Sequence, residues 1–414
     1  MSRQLIPDPF INVIVTTRPS KVAGVDCAYL VERPGYVNAN LYGKISMNMA
    51  FRYWLDRRIR AFVMRIMGLL TARTVEQQLD WRRQEIRKIL LVRSIFRMGD
   101  AILATPAILL FRKNFPQARI DFVGPGISKS LFLHLPINAH YEVYQSFPKV
   151  CWSYLTLLRQ IRHTKYDLAV DVSGSSAALG SFIVGFSGAR FRVGLKGKWD
   201  RWFNVRLRRP LTVNKYRNLP ELVGSMGLET ELIFPTLVLS PEEIEEGRKR
   251  IQALIHRDEA PIVGVFVGGR KTRGKRWARE NFLKLVTQLR AEGARSIIFV
   301  GPEERKLIPY FRGVLGHRVP VLFEPNARSF AALLANCHLF VACDSGPVHL
   351  ACALGVRTVA IFLKDNFDRW GPPADLGRIV YREGGVSAED VLEACHFELA
   401  DLSIHPHKCT AVNE

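Results

Sequence analysis

The sequence is poor in cysteine, and it lacks both a secretory leader and any long apolar run. Seven cysteines are scattered over 414 residues without a CxxC pair. An odd and dispersed set of this kind excludes a disulfide scaffold and favours reduced thiols in a reducing compartment. The first residues contain no apolar segment of the type that a secretory signal requires. No stretch reaches the ~18 uninterrupted apolar residues of a membrane-spanning helix. These absences predict a cytoplasmic protein without a membrane span.

Acidic residues are also scarce relative to basic ones. The chain has 59 lysines and arginines against 38 aspartates and glutamates, which gives a formal net charge of +21. Such an excess implies an anionic partner, and charge alone does not choose among nucleic acid, a lipid surface and a phosphorylated substrate. Hydrophobic residues make up 48% of the chain, enough for ordinary buried cores. The length suggests two or three domains at about 100–200 residues each.

Short apolar runs alternate with helix-like segments, first from about residue 86 and again after Pro235. The predicted strands are 88–93, 118–124, 166–172, 262–267, 296–301, 338–343 and 356–362. The predicted helices are 100–115, 280–292, 329–336 and 347–354, with Ser329 as the N-cap of the third. This alternation is typical of parallel α/β sheets. We predict an N-terminal extension of residues 1–85, an α/β domain of residues 86–238 and a second α/β domain of residues 239–414.

The extension contains one patterned segment. Residues 1–45 show little periodicity and suggest no function. Between Met47 and Leu70, apolar residues recur at helical spacing with arginines among them. A basic amphipathic helix of this kind can lie in a membrane interface. Packing of its apolar side on the neighbouring domain is the slightly favoured alternative.

Two glycine-containing segments follow predicted strands, where open parallel sheets bind their ligands. Gly99 and Asp100 end the loop after strand 88–93. Asp100 could face a ligand, or it could only cap the following helix. The loop from Gly268 to Trp277 mixes glycines with lysines and arginines, which suits a diphosphate. This loop does not have the residue order of a Walker A motif. The alternative to a diphosphate site is a solvated basic loop.

A third such segment runs from Asp344 to Gly355. We expect Asp344 and Ser345 to cap a helix that has Pro347 in its first turn. The exposed N–H groups at such a helix start form an anion site, and Gly346 allows close approach of a ligand. His349 follows one turn later. It could belong to this site, or it could be a core histidine bonded to the backbone.

The most basic stretch of the chain runs from Arg190 to Arg217, where Asp200 is the one acidic residue. Trp199, Trp202 and Phe203 are interleaved with the cations. This pattern could bind nucleic acid or an anionic glycolipid at a membrane. A merely solvated loop is the less favoured alternative, because exposed tryptophan is unusual without a partner.

Taken in order, these segments resemble glycosyltransferase family 9, the heptosyltransferase family. The resemblance covers about Lys88 to Arg382. The segments that match are 89–93, 98–107, 115–116, 120–123, 166–171, 275–277, 280–282, 301–304, 344–355 and 370–372. Residues 1–85 have no counterpart in the family pattern. The loop after Val267 and the residues 363–366 also depart from it, so the donor sugar need not be a heptose.

The resemblance implies the GT-B fold, in which two Rossmann-like domains face each other across a cleft. The N-terminal domain of such a protein mainly holds the acceptor, and the C-terminal domain mainly holds the donor. By carry-over, Asp100 is expected to be the general base, and Lys275 with Arg276 to neutralise the donor diphosphate. The remaining expected donor contacts are Glu303, Glu304, Asp344, Ser345, Gly346 and His349. The expected acceptor contacts are Arg97, Arg201 and Arg206. No metal ion and no cofactor are implied.

The expected reaction is a single, inverting displacement that moves a sugar from a nucleoside-diphosphate sugar. The expected donor is ADP-heptose, and the expected acceptor is an anionic, lipid-linked lipopolysaccharide core. Such an enzyme would be peripheral on the cytoplasmic face of the inner membrane and would not use nucleic acid. Three alternatives remain at this stage: an epimerase or similar nucleotide-sugar enzyme of the same fold, a nucleic-acid-binding protein, and a non-catalytic glycolipid-binding family member.

Overall fold

The structure is a computed structural model that describes residues 13–15, 58, 66, 74–75, 80–143, 149–174, 178–255, 260–270 and 274–404. These residues form two α/β units, each built on a parallel sheet. We call residues 80–224 the N-terminal unit, and residues 241–404 with residues 13–15 the C-terminal unit. Within the described residues, no helix is both long enough and apolar enough to cross a lipid bilayer.

The N-terminal unit contains the three predicted strands, β2, β3 and β5 as defined next, together with strands and helices that were not predicted. Its strands are β2 (Lys88–Val92), β3 (Arg119–Pro125), β4 (Ala139–Val143), β5 (Leu168–Asp171), β6 (Phe191–Leu195) and β7 (Val205–Leu207). Its helices are α1 (Met98–Ile102), α2 (Thr105–Asn114), α3 (Gly126–Leu131), α4 (Lys149–Thr164), α5 (Ala178–Phe186) and α6 (Asn218–Gly224). The interior of β2 is fully buried, as its apolar run predicts for a central parallel strand.

The sheet of the N-terminal unit has the order β4-β3-β2-β5-β6-β7. β2 therefore lies between β3, which follows it along the chain, and β5, which comes later. The strand order reverses at β2, and such a switch point opens a crevice at the carboxyl ends of the strands. The loop with Gly99 and Asp100 leaves β2 at this crevice.

The C-terminal unit has the same α/β architecture, with seven strands in its sheet among the described residues. They are β1 (Val13–Val15), β8 (Ile262–Phe266), β9 (Arg295–Val300), β10 (Val321–Phe323), β11 (Leu339–Cys343), β12 (Arg357–Phe362) and β13 (Gly377–Tyr381). Its helices are α7 (Pro241–Gln252), α8 (Arg279–Ala291), α9 (Ile308–Leu315), α10 (Ala327–Leu334), α11 (Gly346–Ala353), α12 (Phe367–Trp370) and α13 (Ala388–Ile404). The order β1-β13-β12-β11-β8-β9-β10 places the switch point between β8 and β11.

The described parts of the extension are attached to both units. Val13–Val15 adds an edge strand to the C-terminal sheet, with Ile14 opposite Val380 in a parallel register. Trp81 is buried in the N-terminal unit, and its ring lies edge-on to Phe191 at 5.5 Å. These residues of the predicted extension therefore contact both units, and the division of the chain at residue 85 stays a prediction. The predicted helix 47–70 lies outside the described residues, apart from Arg58 and Ile66, which are exposed.

Two predictions about helix ends need correction. The predicted helix 100–115 is two helices, α1 and α2, because Pro106 stands in the first turn of the second one and proline cannot continue a helix through that point. The N-cap of α10 is Asn326 rather than Ser329. The Asn326 side chain accepts hydrogen bonds from the backbone N–H groups of Arg328 and Ser329.

Arg328 of α10 joins the two units. Its buried guanidinium forms an ion pair with Glu243 at the start of α7. It also donates to the carbonyl of Ser130 at 3.2 Å and to that of Val238 at 2.9 Å. Ser130 belongs to α3 of the N-terminal unit, and Val238 belongs to the connector, residues 225–240, which links the two units. The Arg328 side chain therefore holds the C-terminal unit, the connector and the N-terminal unit together. The domain boundary predicted at residue 238 falls in this connector, between α6 and α7.

Candidate active site

A cleft of about 440 Å³ opens between the carboxyl ends of the two sheets. Its lining residues come from both units, and most of them stand in loops that follow β2, β8, β9 and β11. They are residues 96–100, 127, 266, 269, 270, 275, 299–304, 324, 325, 327, 330, 344–347, 349 and 370. Two switch points thus face a single cavity, which is the expected position of a ligand.

Asp100 lies on the wall that the N-terminal unit contributes. It is the third residue of α1, whose N-cap is Arg97, so the interpretation of Asp100 as a helix cap is wrong. Its carboxylate is 8% exposed and lies 3.4 Å from the buried guanidinium of Arg93. Arg93 also donates to the carbonyl of Val172 at 2.7 Å. This arrangement holds a carboxylate at the wall of the cleft, where a general base would need to lie.

A second carboxylate lies behind Arg93. Asp171 ends β5, is buried, and accepts a hydrogen bond from the Ser173 N–H at 3.0 Å. Burial raises the pKa of Asp171 to about 6, although Ser173 and Arg93 act in the opposite direction. Burial also lowers the pKa of Arg93, while Asp100 and Asp171 oppose that change. Arg93 is therefore held between two carboxylates, and only Asp100 faces the cleft.

Lys275 and Asp344 form an ion pair on the wall of the C-terminal unit. They belong to the loops after β8 and β11, which are neighbouring strands. Asn366 also donates to Asp344, at 3.0 Å. Gly269 permits this arrangement, because a Cβ there would lie 2.2 Å from the Lys275 carbonyl oxygen. The structure thus brings together two of the predicted donor contacts.

Glu304 and Arg276 form a second ion pair beside the first. Glu304 lines the cleft and is 4% exposed, and burial raises its pKa. Arg276 donates to the carbonyl of Gly269 at 2.9 Å and does not line the cleft. Arg276 therefore braces the loop behind the wall, and its contact with a diphosphate stays a prediction. Glu303 is exposed and lines the cleft.

The N-terminus of α11 points at the same cavity. Ser345 occupies the N-cap position, but its side chain makes no capping hydrogen bond, so the predicted cap is wrong in this detail. Gly346 and Pro347 form the first turn, and both line the cleft. The first N–H groups of a helix have no partner within the helix. They supply partial positive charge beside Lys275.

His349 lies deeper in the cleft, one turn along α11. It is 4% exposed, and its Nδ1 atom is 2.6 Å from the hydroxyl of Tyr216. Burial lowers the pKa of His349 to about 4. The interpretation as a core histidine is correct about burial and wrong about the partner, because the ring is bonded to a tyrosine of the N-terminal unit rather than to backbone.

A family model decides what kind of protein has this cleft. The model of glycosyltransferase family 9 (heptosyltransferase) matches residues 154–397, more than half of the chain. The chain belongs to glycosyltransferase family 9. It is therefore a glycosyltransferase.

Individual relatives agree with this assignment. Lipopolysaccharide heptosyltransferase 2 of Escherichia coli (strain K12) is 25% identical over 331 residues, which cover 74% of this chain and 92% of the relative. A glycosyl transferase family 9 structure from Veillonella parvula matches with a TM-score of 0.68 at 20% identity, covering 79% of this chain and 99% of that one. The structure of E. coli ADP-heptose lps heptosyltransferase II matches with a TM-score of 0.60 at 20% identity. The match covers 76% of this chain and 99% of the E. coli chain. These likenesses confirm the GT-B fold.

The basic segment of this family 9 enzyme differs from the prediction. Trp202 is 3% exposed and Phe203 is 1% exposed, because both lie in the turn between β6 and β7, where Trp202 packs on Phe186 of α5 and Phe203 packs in the core. Arg206 is 9% exposed, and its guanidinium donates to the carbonyls of Asp200 and Thr74. Neither Arg201 nor Arg206 lines the cleft. Of the three predicted acceptor contacts, the structure places only Arg97 there.

Several residues of the site were not predicted. Arg93 lies in a segment that matched the family, and Tyr216 lies in the basic stretch, but neither residue was assigned a role from the sequence. Lys215 is half-buried beside Asp100, and burial and Arg369 lower its pKa. The position of Arg93 directly after β2 was the available signal. No local pattern indicated Tyr216, because its partner is 133 residues away.

Proposed function

We propose that this glycosyltransferase moves a heptose from ADP-heptose to an anionic lipopolysaccharide core acceptor, with inversion at the anomeric carbon. One observation carries the proposal. The Asp100 carboxylate of the N-terminal unit and the Lys275–Asp344 pair of the C-terminal unit line the same cleft. A base and a phosphate-binding cation on opposite walls suit direct attack by an acceptor on a sugar nucleotide held between them.

Asp100 would act on the acceptor. As the acceptor oxygen bonds to the anomeric carbon, the bond from that carbon to the diphosphate oxygen breaks, and Asp100 takes the hydroxyl proton. General-base assistance of this kind contributes about 10²–10⁴-fold to a rate. Arg93 keeps the carboxylate in place through its contact at 3.4 Å. Attack from the side opposite the leaving group inverts the anomeric centre.

The C-terminal unit would hold the donor. The leaving diphosphate gains charge, and Lys275 and the N-terminus of α11 would stabilise it. Because these groups supply positive charge where the diphosphate lies, we expect no metal ion or cofactor to be required. Phe266, Phe299 and Phe330 line the cleft beside Glu304 and offer an apolar surface with one carboxylate, which suits a nucleoside. The names of the relatives, lipopolysaccharide heptosyltransferase and ADP-heptose lps heptosyltransferase, support the choice of donor and acceptor.

The membrane is the place where a lipid-linked acceptor would be met. β6 and β7 are parallel to β2, so the loops that follow them leave the sheet at its cleft edge. These loops expose Lys196, Lys198, Arg208 and Arg209. Leu211 is 92% exposed and Val213 is 62% exposed in the second loop. We propose that this surface rests on the anionic cytoplasmic face of the inner membrane, without a membrane span and without a nucleic-acid partner.

Asp100→Asn tests the catalytic assignment. The variant keeps the shape of the side chain and loses its capacity to accept a proton, so we expect transfer from ADP-heptose to fall at least about 100-fold. The affinity for ADP, measured by calorimetry, should stay within a few-fold of wild type, because Asp100 lies on the opposite wall. Near-normal turnover of the variant would exclude Asp100 as the base. A wild-type protein that neither binds ADP nor transfers heptose would overturn the proposed donor.

A further inference from the structure

A buried hydrogen bond joins the two units beneath the cleft. The Tyr216 hydroxyl, from the segment before α6, lies 2.6 Å from Nδ1 of His349 in α11. Tyr216 is 1% exposed and His349 is 4% exposed. Their ring centroids are 5.4 Å apart. Tyr216 does not line the cleft, whereas His349 does, so the tyrosine can influence a ligand only through the histidine.

The surroundings of Tyr216 determine which nitrogen of His349 bears the proton. Burial lowers the pKa of His349 to about 4, so the ring is neutral near pH 7 and has a single N–H group. The Tyr216 hydroxyl has two neighbours that could accept its proton, His349 Nδ1 and the thiol of Cys352. Sulfur is a weak acceptor and imidazole nitrogen is a strong one. The hydroxyl therefore donates to Nδ1, and the ring proton resides on Nε2.

The ring is fixed on its other sides as well. A Cβ on Gly99 would lie 2.6 Å from Cδ2 of His349, so the ring packs directly on the loop that bears Asp100. The Trp370 ring lies 6.1 Å away, centroid to centroid. Among the described residues, Nε2 has no protein partner. The charged groups that act on the ring are Asp344, Asp100 and Lys275, which are the groups that flank the space for a transferred sugar.

We propose that Tyr216 is a positioning residue, which holds His349 as an Nε2–H donor toward an oxygen of the sugar nucleotide. The inference rests on the proposed function, since it assigns one more contact to the same donor. It adds a dependence between the units. Because the hydrogen bond crosses from one unit to the other, the donor site is complete only when the units are arranged as in this structure.

The first test is spectroscopic and needs no substrate. Long-range ¹⁵N–¹H correlation spectra of the wild-type protein should show His349 with its proton on Nε2 alone. In Tyr216→Phe we expect a mixture of the two neutral tautomers. A wild-type ring protonated at Nδ1, or a tautomer unchanged by Tyr216→Phe, overturns the inference. Neither result depends on whether ADP-heptose is the donor.

The second test is a double-mutant cycle on kcat/KM for ADP-heptose. Tyr216→Phe should cost about tenfold in the wild-type background, which corresponds to about 1.4 kcal/mol and lies within the range for one buried hydrogen bond. In the His349→Gln background the same change should cost almost nothing. Glutamine keeps an N–H near the position of Nε2, whereas asparagine places it near Nδ1. We therefore expect His349→Gln to retain more activity than His349→Asn.

Tyr166→Phe is the matched control. Tyr166 is also buried, and its hydroxyl donates to Asp121 at 2.5 Å, within the N-terminal sheet and away from the cleft. This variant should lose stability without changing kcat/KM. An equal cost of Tyr216→Phe in both backgrounds would show a purely structural role and overturn the inference. A wild-type enzyme that ignores ADP-heptose would instead contradict the proposed function and leave the spectroscopic result standing.

Discussion

Gly99 and Gly346 face each other across the base of the cleft, with backbone against backbone. A Cβ built on Gly346 would lie 3.3 Å from the backbone nitrogen of Gly99, and one built on Gly99 would lie 3.4 Å from the Gly346 Cα. Neither glycine has a positive φ, so close approach explains them rather than backbone conformation. The start of α1, which bears Asp100, thereby touches the start of α11, which bears His349. Because neither glycine has a side chain, the two helix starts can approach closely, and this brings Asp100 of one unit near His349 of the other.

Gly99→Ala should impair transfer more than Gly346→Ala. The new Cβ at position 99 would lie 2.6 Å from Cδ2 of His349, so the buried ring or the helix must move. At position 346 the nearest atom is the flexible end of Met98, at 3.0 Å. We expect a loss of at least about tenfold in kcat/KM for Gly99→Ala, as for about 1.4 kcal/mol of lost positioning, and a smaller loss for Gly346→Ala. Equal losses in steady-state assays would contradict this account of the contact.

Lys275→Met should weaken binding of ADP. A hydrogen bond to a charged group contributes about 1.5–3 kcal/mol, so calorimetry should show a dissociation constant raised by about 10–100-fold. The change also leaves the buried Asp344 carboxylate with Asn366 as its remaining hydrogen-bond donor among the described residues, and part of the effect is repulsion of the diphosphate by that carboxylate. Lys275→Met with Asp344→Asn should therefore recover some affinity. Lys249→Met, at an exposed position on α7, is the control. Unchanged affinity in Lys275→Met would place the diphosphate elsewhere.

The order of elements was predictable because it depends on local sequence. Buried parallel strands such as β2 and β11 are short apolar runs, and the residues that follow them must lie at the carboxyl edge of a sheet. That rule alone placed Asp100 and Asp344 near a ligand. Their roles came from the family resemblance, because a single aspartate after a strand does not distinguish a base from a cap.

Partners distant in sequence were not predictable in the same way. The hydrogen bond of Tyr216 to His349 and the contact of Gly99 with Gly346 depend on how the two units dock. The hydrophobic periodicity of a local segment contains no information about that docking. The prediction for Trp202 failed for a related reason, because the basic segment contains two buried strands, and the turn between them packs Trp202 against the N-terminal unit. The break between α1 and α2 was available in the sequence, since Pro106 marks it.

The stability of the protein should depend on pH through His349. The pKa of its imidazole falls from 6.5 to about 4 on burial, so between these values the unfolded chain binds a proton that the folded one does not. Stability is then lost as pH falls from about 6.5 toward 4. Relative to His349→Gln, whose side chain does not titrate, the unfolding free energy of the wild type should drop by on the order of 3 kcal/mol over this range. Urea unfolding at several pH values measures the difference, and a difference independent of pH would contradict the neutral, buried ring.

The surface formed by residues 196–198 and 208–213 should bind anionic vesicles. Two neighbouring N–H groups hold its outer loop in place, since Leu211 and Thr212 both donate to the Glu221 carboxylate, at 2.5 and 2.9 Å. The loop is thus fixed with Leu211 pointing outward and 92% exposed. Transfer of a leucine side chain out of water contributes about 1.5–3 kcal/mol, and each cation near an anionic leaflet contributes about 1 kcal/mol. Together these terms suffice for reversible binding.

Co-sedimentation with phosphatidylglycerol-containing vesicles separates the contributions of this surface. Leu211→Ser with Val213→Ser should reduce binding at any salt concentration, whereas Arg208→Glu with Arg209→Glu should reduce it mainly at low salt, because the Debye length shrinks from about 10 Å at 0.1 M to about 3 Å at 1 M. Leu133→Ser is the control, since Leu133 is 64% exposed at a position outside this surface.

Charge reversal at Arg57, Arg58 and Arg60 tests the basic segment of the extension in the same assay. If release followed only from that reversal, the contact would lie in the extension. If the wild-type protein ignored the vesicles at low salt, the positive charge would have to serve a soluble anionic partner.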